Sequence, residues 1–192
     1  MAGLGFLVLI AWTFASAQRG ALVAPRSIDQ LTQEAVVIVR GHVVSAKVEP
    51  HPALRNLTTV LVTMNIEETL KGAPAKTLQF RQYLWDLRDQ LDGARYAKGE
   101  ELLLMLGPVS QYGLTSPVGL EQGRFRIIRG AAQPAAVNGN GNLRLFEATA
   151  ERAQVRGLKL SPGVTALARQ NHAGPVPLAD LEDAIRTFAR SR

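Results

Sequence analysis

Apolar residues recur along this chain with two different spacings, and the spacing changes at definable places. From Val36 to Val48 β-branched residues follow one another almost without a break, VVIVRGHVVSAKV, with Gly41 near the middle. Val37, Val39 and Val43 share one parity, while Val36, Ile38, Val44 and Val48 share the other. Both faces before Gly41 are therefore apolar. The pattern predicts a long first strand, partly covered on both sides and bent or bulged at the glycine. In Thr58–Leu70, Val60, Val62, Met64 and Ile66 repeat at period two against Thr59, Leu61, Thr63 and Asn65, which predicts a half-buried second strand. Thr77–Gln82 reads as a short third strand with Leu78 and Phe80 inward. Tyr83–Gly93 then changes period: Leu84, Leu87 and Leu91 share one helical face, and Gly93 can end the helix. Glu101–Leu106 reads as a buried fourth strand closed by Pro108, and Tyr112–Val118 and Gln122–Ile128 are expected to pair as two more strands joined through Gly119.

The flanks carry weaker patterns. Ser27 and Gln30 have capping-box spacing ahead of a short helix with Ile28, Leu31 and Ala35 inward. Ala131–Asn142, rich in Ala, Gly and Asn, reads as a hairpin turn or a mobile loop, and Leu143–Phe146 as a last short strand. Glu147–Ala173 is expected to be coil with one helical turn. The final helix is Leu178–Arg190, with Leu178, Leu181, Ile185 and Phe188 on one face, acids early and arginines late, as the helix dipole favours. At the other end, apolar Gly3–Phe14 runs into Ala15-Ser16-Ala17, the form of an export signal with a small-residue cleavage site. The expected organisation is a signal peptide over 1–17, a β-barrel domain over 27–146, and a C-terminal extension over 147–192 with its helix at 178–190. No transmembrane span is expected after cleavage, and the expected compartment is periplasmic or extracellular.

Composition narrows the chemistry. The 192 residues include 46% hydrophobic and 20% charged residues, enough for one globular domain with appendages. There is no cysteine, which excludes thiol nucleophiles, thiolate metal sites and disulfides. The net charge of +6 comes from dispersed basic residues, so the chain carries no basic block of the kind that binds nucleic acid, and no nucleic-acid partner is expected. His42, His51 and His172 have no metal-binding spacing. Glu67-Glu68 and Glu100-Glu101 are adjacent pairs, expected to point to opposite faces of their strands and so not to form an acid–base couple. No phosphate loop or nucleophile elbow occurs, and no cofactor is expected.

Three strands, a helix and further strands, with a glycine-bent first strand, is the element order of an oligonucleotide/oligosaccharide-binding (OB) barrel, in which a helix bridges strands three and four. Val36-Val-Ile-Val-Arg-Gly-His-Val-Val44, Ile66-Glu-Glu-Thr-Leu-Lys-Gly72 and Lys98-Gly-Glu-Glu-Leu-Leu-Leu104 distantly resemble the netrin-like and TIMP-like OB modules. TIMP modules inhibit through an N-terminal cysteine, which this chain lacks, so that mechanism is not implied. Glu67-Glu-Thr-Leu-Lys-Gly72, Phe80-Arg-Gln-Tyr-Leu-Trp-Asp-Leu-Arg88, Tyr112-Gly-Leu-Thr-Ser-Pro117 and Glu121-Gln-Gly-Arg-Phe-Arg126 resemble a family of exported bacterial proteins of unassigned activity. Together these resemblances imply a mainly β, OB-like barrel of five to six strands in an exported protein.

The candidate interaction face is Arg81, Tyr83, Trp85, Asp86 and Arg88, facing Gln122 and Arg124, because Trp, Tyr and Arg dominate binding hot spots. The competing expectation is that Trp85 plugs one end of the barrel while the arginines pair with Asp86 and Asp89. The expected function is a non-enzymatic binding module for an exported protein or a glycan. The alternatives are an exported hydrolase with its site near Arg81–Asp89, or a protease-inhibitor-like module.

Overall fold

The computed structural model describes residues 24–86, 95–130, 132–170 and 172–190. The signal peptide expected over 1–17, most of the helix expected over Tyr83–Gly93, and Arg88 with it lie outside the described residues. The protein is mainly β: a seven-stranded antiparallel sheet in the order β3-β2-β1-β4-β5-β6-β7, with a few helices. A short helix α1 (Ile28–Glu34) leads directly into β1 (Val37–Pro50), which pairs with both β2 (Thr58–Lys71) and β4 (Glu101–Leu106). β3 (Thr77–Tyr83) forms one edge. β5 (Arg124–Ile128), β6 (Ala135–Asn138) and the two-residue β7 (Val176–Pro177) complete the other side. The Gln30 side chain accepts the Ser27 N–H at 2.9 Å, so the cap of α1 forms where the sequence places it.

Three irregularities shape the β1–β2 pair. The register skips at Ile38/Val39, at Arg40/Gly41 and at Val43/Ser45, leaving Leu70, Glu67 and Val44 as the extra residues. Gly41 is needed for close approach: a Cβ there would stand 2.0 Å from the Asn65 carbonyl oxygen. The expected bend at Gly41 is thus a bulge, set in the opposing strand at Glu67.

Each face of the sheet builds its own core. On one face Val39, Val43, Val60, Val62, Met64, Phe80, Leu102, Leu104 and Leu106 pack with Leu84 and Tyr96. On the other, Ile38, Leu103, Met105, Phe125, Ile127 and Ala136 are covered by α1 and by three later helices, α2 (Thr149–Val155), α3 (Pro162–Gln170) and α4 (Leu178–Arg190). All six residues of β4 are buried: Leu102, Leu104 and Leu106 enter one core, Leu103 and Met105 the other, and Glu101 is covered by its arginine partners. The bounds of α4 and its inward Leu178, Leu181, Ile185 and Phe188 agree with the periodicity.

Several expectations are corrected. Tyr112–Val118 forms turns and two isolated bridges instead of a strand, and Gln122 lies in a 3-10 turn, Leu120–Gly123. β5 pairs instead with Ala135–Asn138, inside the stretch read as a loop. Ala136 is fully buried there, so small side chains mark a tight sheet position and not a mobile segment. Leu143–Phe146 is a turn, held by a closed pair of buried asparagines. Asn142 Oδ1 accepts the Asn138 N–H at 2.9 Å, Asn138 Oδ1 accepts the Asn142 N–H at 2.8 Å, and Asn142 Nδ2 donates to Ala136 O and Gly174 O. Glu147–Ala173 holds two helices where one helical turn was expected; Ala153, Val164 and Leu167 bury into the helix-covered core. Arg152 ties α2 to α1 through the fully buried Asp29, with bonds of 2.6 and 2.9 Å.

Candidate functional site

At the end of β3 the chain leaves the sheet and Trp85 stands in solvent, 81% exposed. Its ring meets Tyr83 edge to face, 4.8 Å between centroids, so the two rings make a fixed L-shaped shelf. The shelf forms one wall of a groove of about 800 Å³. The opposite wall is the loop after β4, with Pro108, Leu114, Pro117, Val118 and Leu120. That loop is pinned at both ends. Thr115 N–H donates to Arg81 O at 2.9 Å, beside a parallel bridge between Arg81 and Leu114, and Val118 N–H donates to Met105 O at 2.8 Å. From below, the buried His51 donates through Nε2 to Tyr112 O at 2.8 Å, while its Nδ1 accepts the Ala53 and Leu54 N–H groups. Val109 and Tyr112 are exposed on the same loop.

The polar side chains around the groove are mostly committed to the fold. Ser110 Oγ accepts the Tyr112 and Leu114 N–H groups, Thr115 Oγ1 donates to Gly107 O, Gln82 Oε1 takes the Tyr96 hydroxyl, and Arg26 pairs with Glu34. What the groove offers a ligand is chiefly apolar surface and two aromatic faces.

The residues singled out in the sequence fall into two groups. Tyr83 and Trp85 line the groove together, with Asp86 following them in the chain. Arg81 is structural: its guanidinium donates to Thr59 Oγ1 at 2.8 Å and to Glu49 Oε1 at 2.7 Å. Gln122 is buried and anchors the N-terminal segment, accepting the Arg26 N–H at 2.7 Å and donating to Ala24 O at 3.2 Å. Arg124 lies over the Tyr96 ring at 5.1 Å and pairs with Glu121 at 2.8 Å. Burial raises the Tyr96 phenol above its ordinary range. Arg88 lies outside the described residues.

A second constellation has no signal in residue spacing. Four carboxylates converge on Arg40: Glu182 at 2.8 Å, Glu101 at 3.0 Å, Glu68 at 3.4 Å, and Glu67 in a short contact. Arg129 forks both oxygens of Glu101 at 2.8 Å, Arg186 joins Glu68 to Glu182, and His42 Nε2 lies 2.9 Å from Glu67. The bulge explains how adjacent residues reach one cation: the extra residue at Glu67 breaks the alternation, so Glu67 and Glu68 do not point to opposite faces as expected. Burial works against the charge of Arg40, but the hydrogen bonds it donates to Glu182, Glu101 and Glu67 outweigh it and hold the guanidinium more firmly protonated than usual. Burial likewise raises Glu101 and Glu68, yet the arginines (Arg129 and Arg40 for the first, Arg186 and Arg40 for the second) bring both below the usual carboxylate range. His42, Glu67 and Glu101 also bring one ligand atom each within 4.8 Å of one another. The Arg40 Nη1 already bonds both carboxylates, so a metal ion there would have to displace the guanidinium. The arrangement is a clamp that fastens α4 to β1, β2 and β4.

No protein-family model, curated protein or solved structure matches this chain. Among the described residues, no helix is long and apolar enough to cross a membrane.

Proposed function

We propose that this chain is an exported, non-enzymatic binding module that docks an apolar, extended segment of another exported protein in the groove beside Trp85. The observation that carries the reading is the exposure of Trp85 on a fixed aromatic shelf facing a pinned, proline-bearing wall. An indole held in water has no stabilising role in the core, whereas a partner that covers it gains the full value of its burial. A peptide suits the groove better than a glycan, because Ser110, Thr115, Gln82 and Arg26 already make hydrogen bonds within the fold, whereas the aromatic and proline surfaces are uncommitted. Export rests on the apolar Gly3–Phe14 stretch and its small-residue end.

The same geometry favours reading the sheet as an OB-like barrel. β1 pairs on both sides, and the parallel Arg81–Leu114 bridge joins β3 to the chain that follows β4. The groove then lies at the seam.

The test is selection of displayed peptides on the chain beginning at Gln18, run beside a glycan array. Apolar and aromatic or proline-bearing peptides are expected to be selected. Trp85→Ala should weaken them by about 2 kcal/mol, roughly thirtyfold. Its unfolding free energy should stay within about 0.5 kcal/mol of the parent, because the side chain is exposed. Selected peptides that bind the Trp85→Ala protein equally well, or binding confined to glycans, would sink the proposal.

A further inference from the structure

A second concavity, of about 820 Å³, opens where the end of α1, the turn after β2 and the last turns of α4 meet. Among the described residues its charged lining residues are Lys71, Arg186 and Arg190, and no carboxylate of theirs lines it. Lys71 is held in place from behind: its Nζ donates to Thr32 O at 2.7 Å and to Gln33 O at 3.2 Å, the carbonyls at the end of α1. An ammonium has three donors, and these two bonds use two of them. Arg186 reaches Glu68 and Glu182 through Nη2 alone. Among the described residues, neither Lys71 nor Arg190 makes an ion pair. Lys71 is half-buried and Arg190 is exposed; a partly buried ammonium without a counter-charge is costly, and an anion in the concavity would remove that cost. Burial indeed pulls the Lys71 ammonium below its usual range.

We propose that this concavity binds a tetrahedral oxyanion, phosphate or sulfate, between Lys71, Arg186 and Arg190. The concavity shares no lining residue with the groove beside Trp85. The competing account is that these cations only complement the negative ends of α1 and α4. Helix complementation requires no ion and no selectivity among anions, so the two accounts predict different titrations.

The experiment is a calorimetric titration of the chain from Gln18 with inorganic phosphate and with sulfate, at ionic strength held constant with chloride. A parallel arm measures sedimentation with phosphatidylglycerol vesicles against phosphatidylcholine vesicles. Saturable binding of the free anions is expected, weakened roughly tenfold in Arg190→Gln, the loss of one charge-assisted contact. Sedimentation with the phosphatidylglycerol vesicles alone, abolished in Arg190→Gln, would equally support the site and assign the oxyanion to a lipid headgroup. Lys71→Met should abolish binding; because it also uncaps α1, Arg190→Gln decides the matter if Lys71→Met does not fold. No binding in either arm, or binding unchanged in Arg190→Gln, would overturn the proposal. Peptide binding at Trp85 should be the same in Arg190→Gln, so failure here and failure of the groove are read separately.

Discussion

Arg40→Met is the sharpest probe of how this fold is held together. The substitution keeps much of the side-chain length and removes one positive charge from the midst of Glu67, Glu68, Glu101 and Glu182. Glu101 and Glu182 are 6% and 10% exposed at their side chains, so water cannot readily replace what Arg40 supplied. Breaking a buried ion pair by removing one partner costs about 3–5 kcal/mol. Arg129 and Arg186 remain as partial partners, which places the expected loss near the lower end, about 3 kcal/mol at neutral pH. At this chain length that corresponds to a melting temperature lower by roughly 6–12 °C. The pH dependence supplies a second, independent readout. The folded-state values of Glu68 and Glu101 are depressed, so their contribution is fully present above the ordinary carboxylate range and is lost as pH falls through the depressed values. Removing Arg40 relieves part of that depression. Arg40→Met should therefore lose less stability on acidification than the parent, and the gap between the two should narrow below about pH 4.5. Chemical denaturation followed by circular dichroism at neutral pH and at pH 4 measures both. A loss under about 1 kcal/mol at neutral pH, or a gap that stays constant with acid, would refute the clamp.

Gly41→Ala should cost about 3 kcal/mol or leave the protein unfolded, since its Cβ would stand 2.0 Å from a backbone oxygen that cannot yield as a side chain would; urea unfolding measures it, and a change under about 1 kcal/mol would contradict the close approach. Asp29→Asn should cost about 2 kcal/mol by denaturation, because Arg152, a third exposed, loses its fully buried partner. Burial raises the Asp29 carboxyl, but Arg152 and Ser27 bring it below its ordinary value, so the parent loses this contribution only in acid and Asp29→Asn should lack that acid-dependent loss.

The strong strands and the last helix were legible because their signals are local. Val60, Val62, Met64 and Ile66 keep one parity over a single core, and Leu178, Leu181, Ile185 and Phe188 keep one helical face. What escaped depends on partners distant in the chain. Ala135–Asn138 has no β-branched run, yet β5 and the Asn138–Asn142 pair complete it as a strand. The helices Thr149–Val155 and Pro162–Gln170 bury too few residues to print a clear period. Of the candidate face, the aromatic residues stand on the groove, because an exposed Trp near a strand end has little else to do. Arg81, Gln122 and Arg124 are hydrogen-bonding side chains of the kind binding faces use but are spent on Glu49, on the N-terminal segment and on Glu121. Residue type alone does not separate a free arginine from a committed one.

The extra residue at Glu67 works like a shift of reading frame. Before it, the even-numbered side chains of β2 belong to one core; after it, Glu68 lies opposite Arg40 on the other face, with no break in the strand. One inserted residue thus lets a single ribbon be composed in two frames, each constrained by a different core. Substitutions on either side of Glu67 answer to different neighbours, while a deletion of Glu67 would keep Glu68 opposite Arg40 and take away only the bulge and the extra carboxylate.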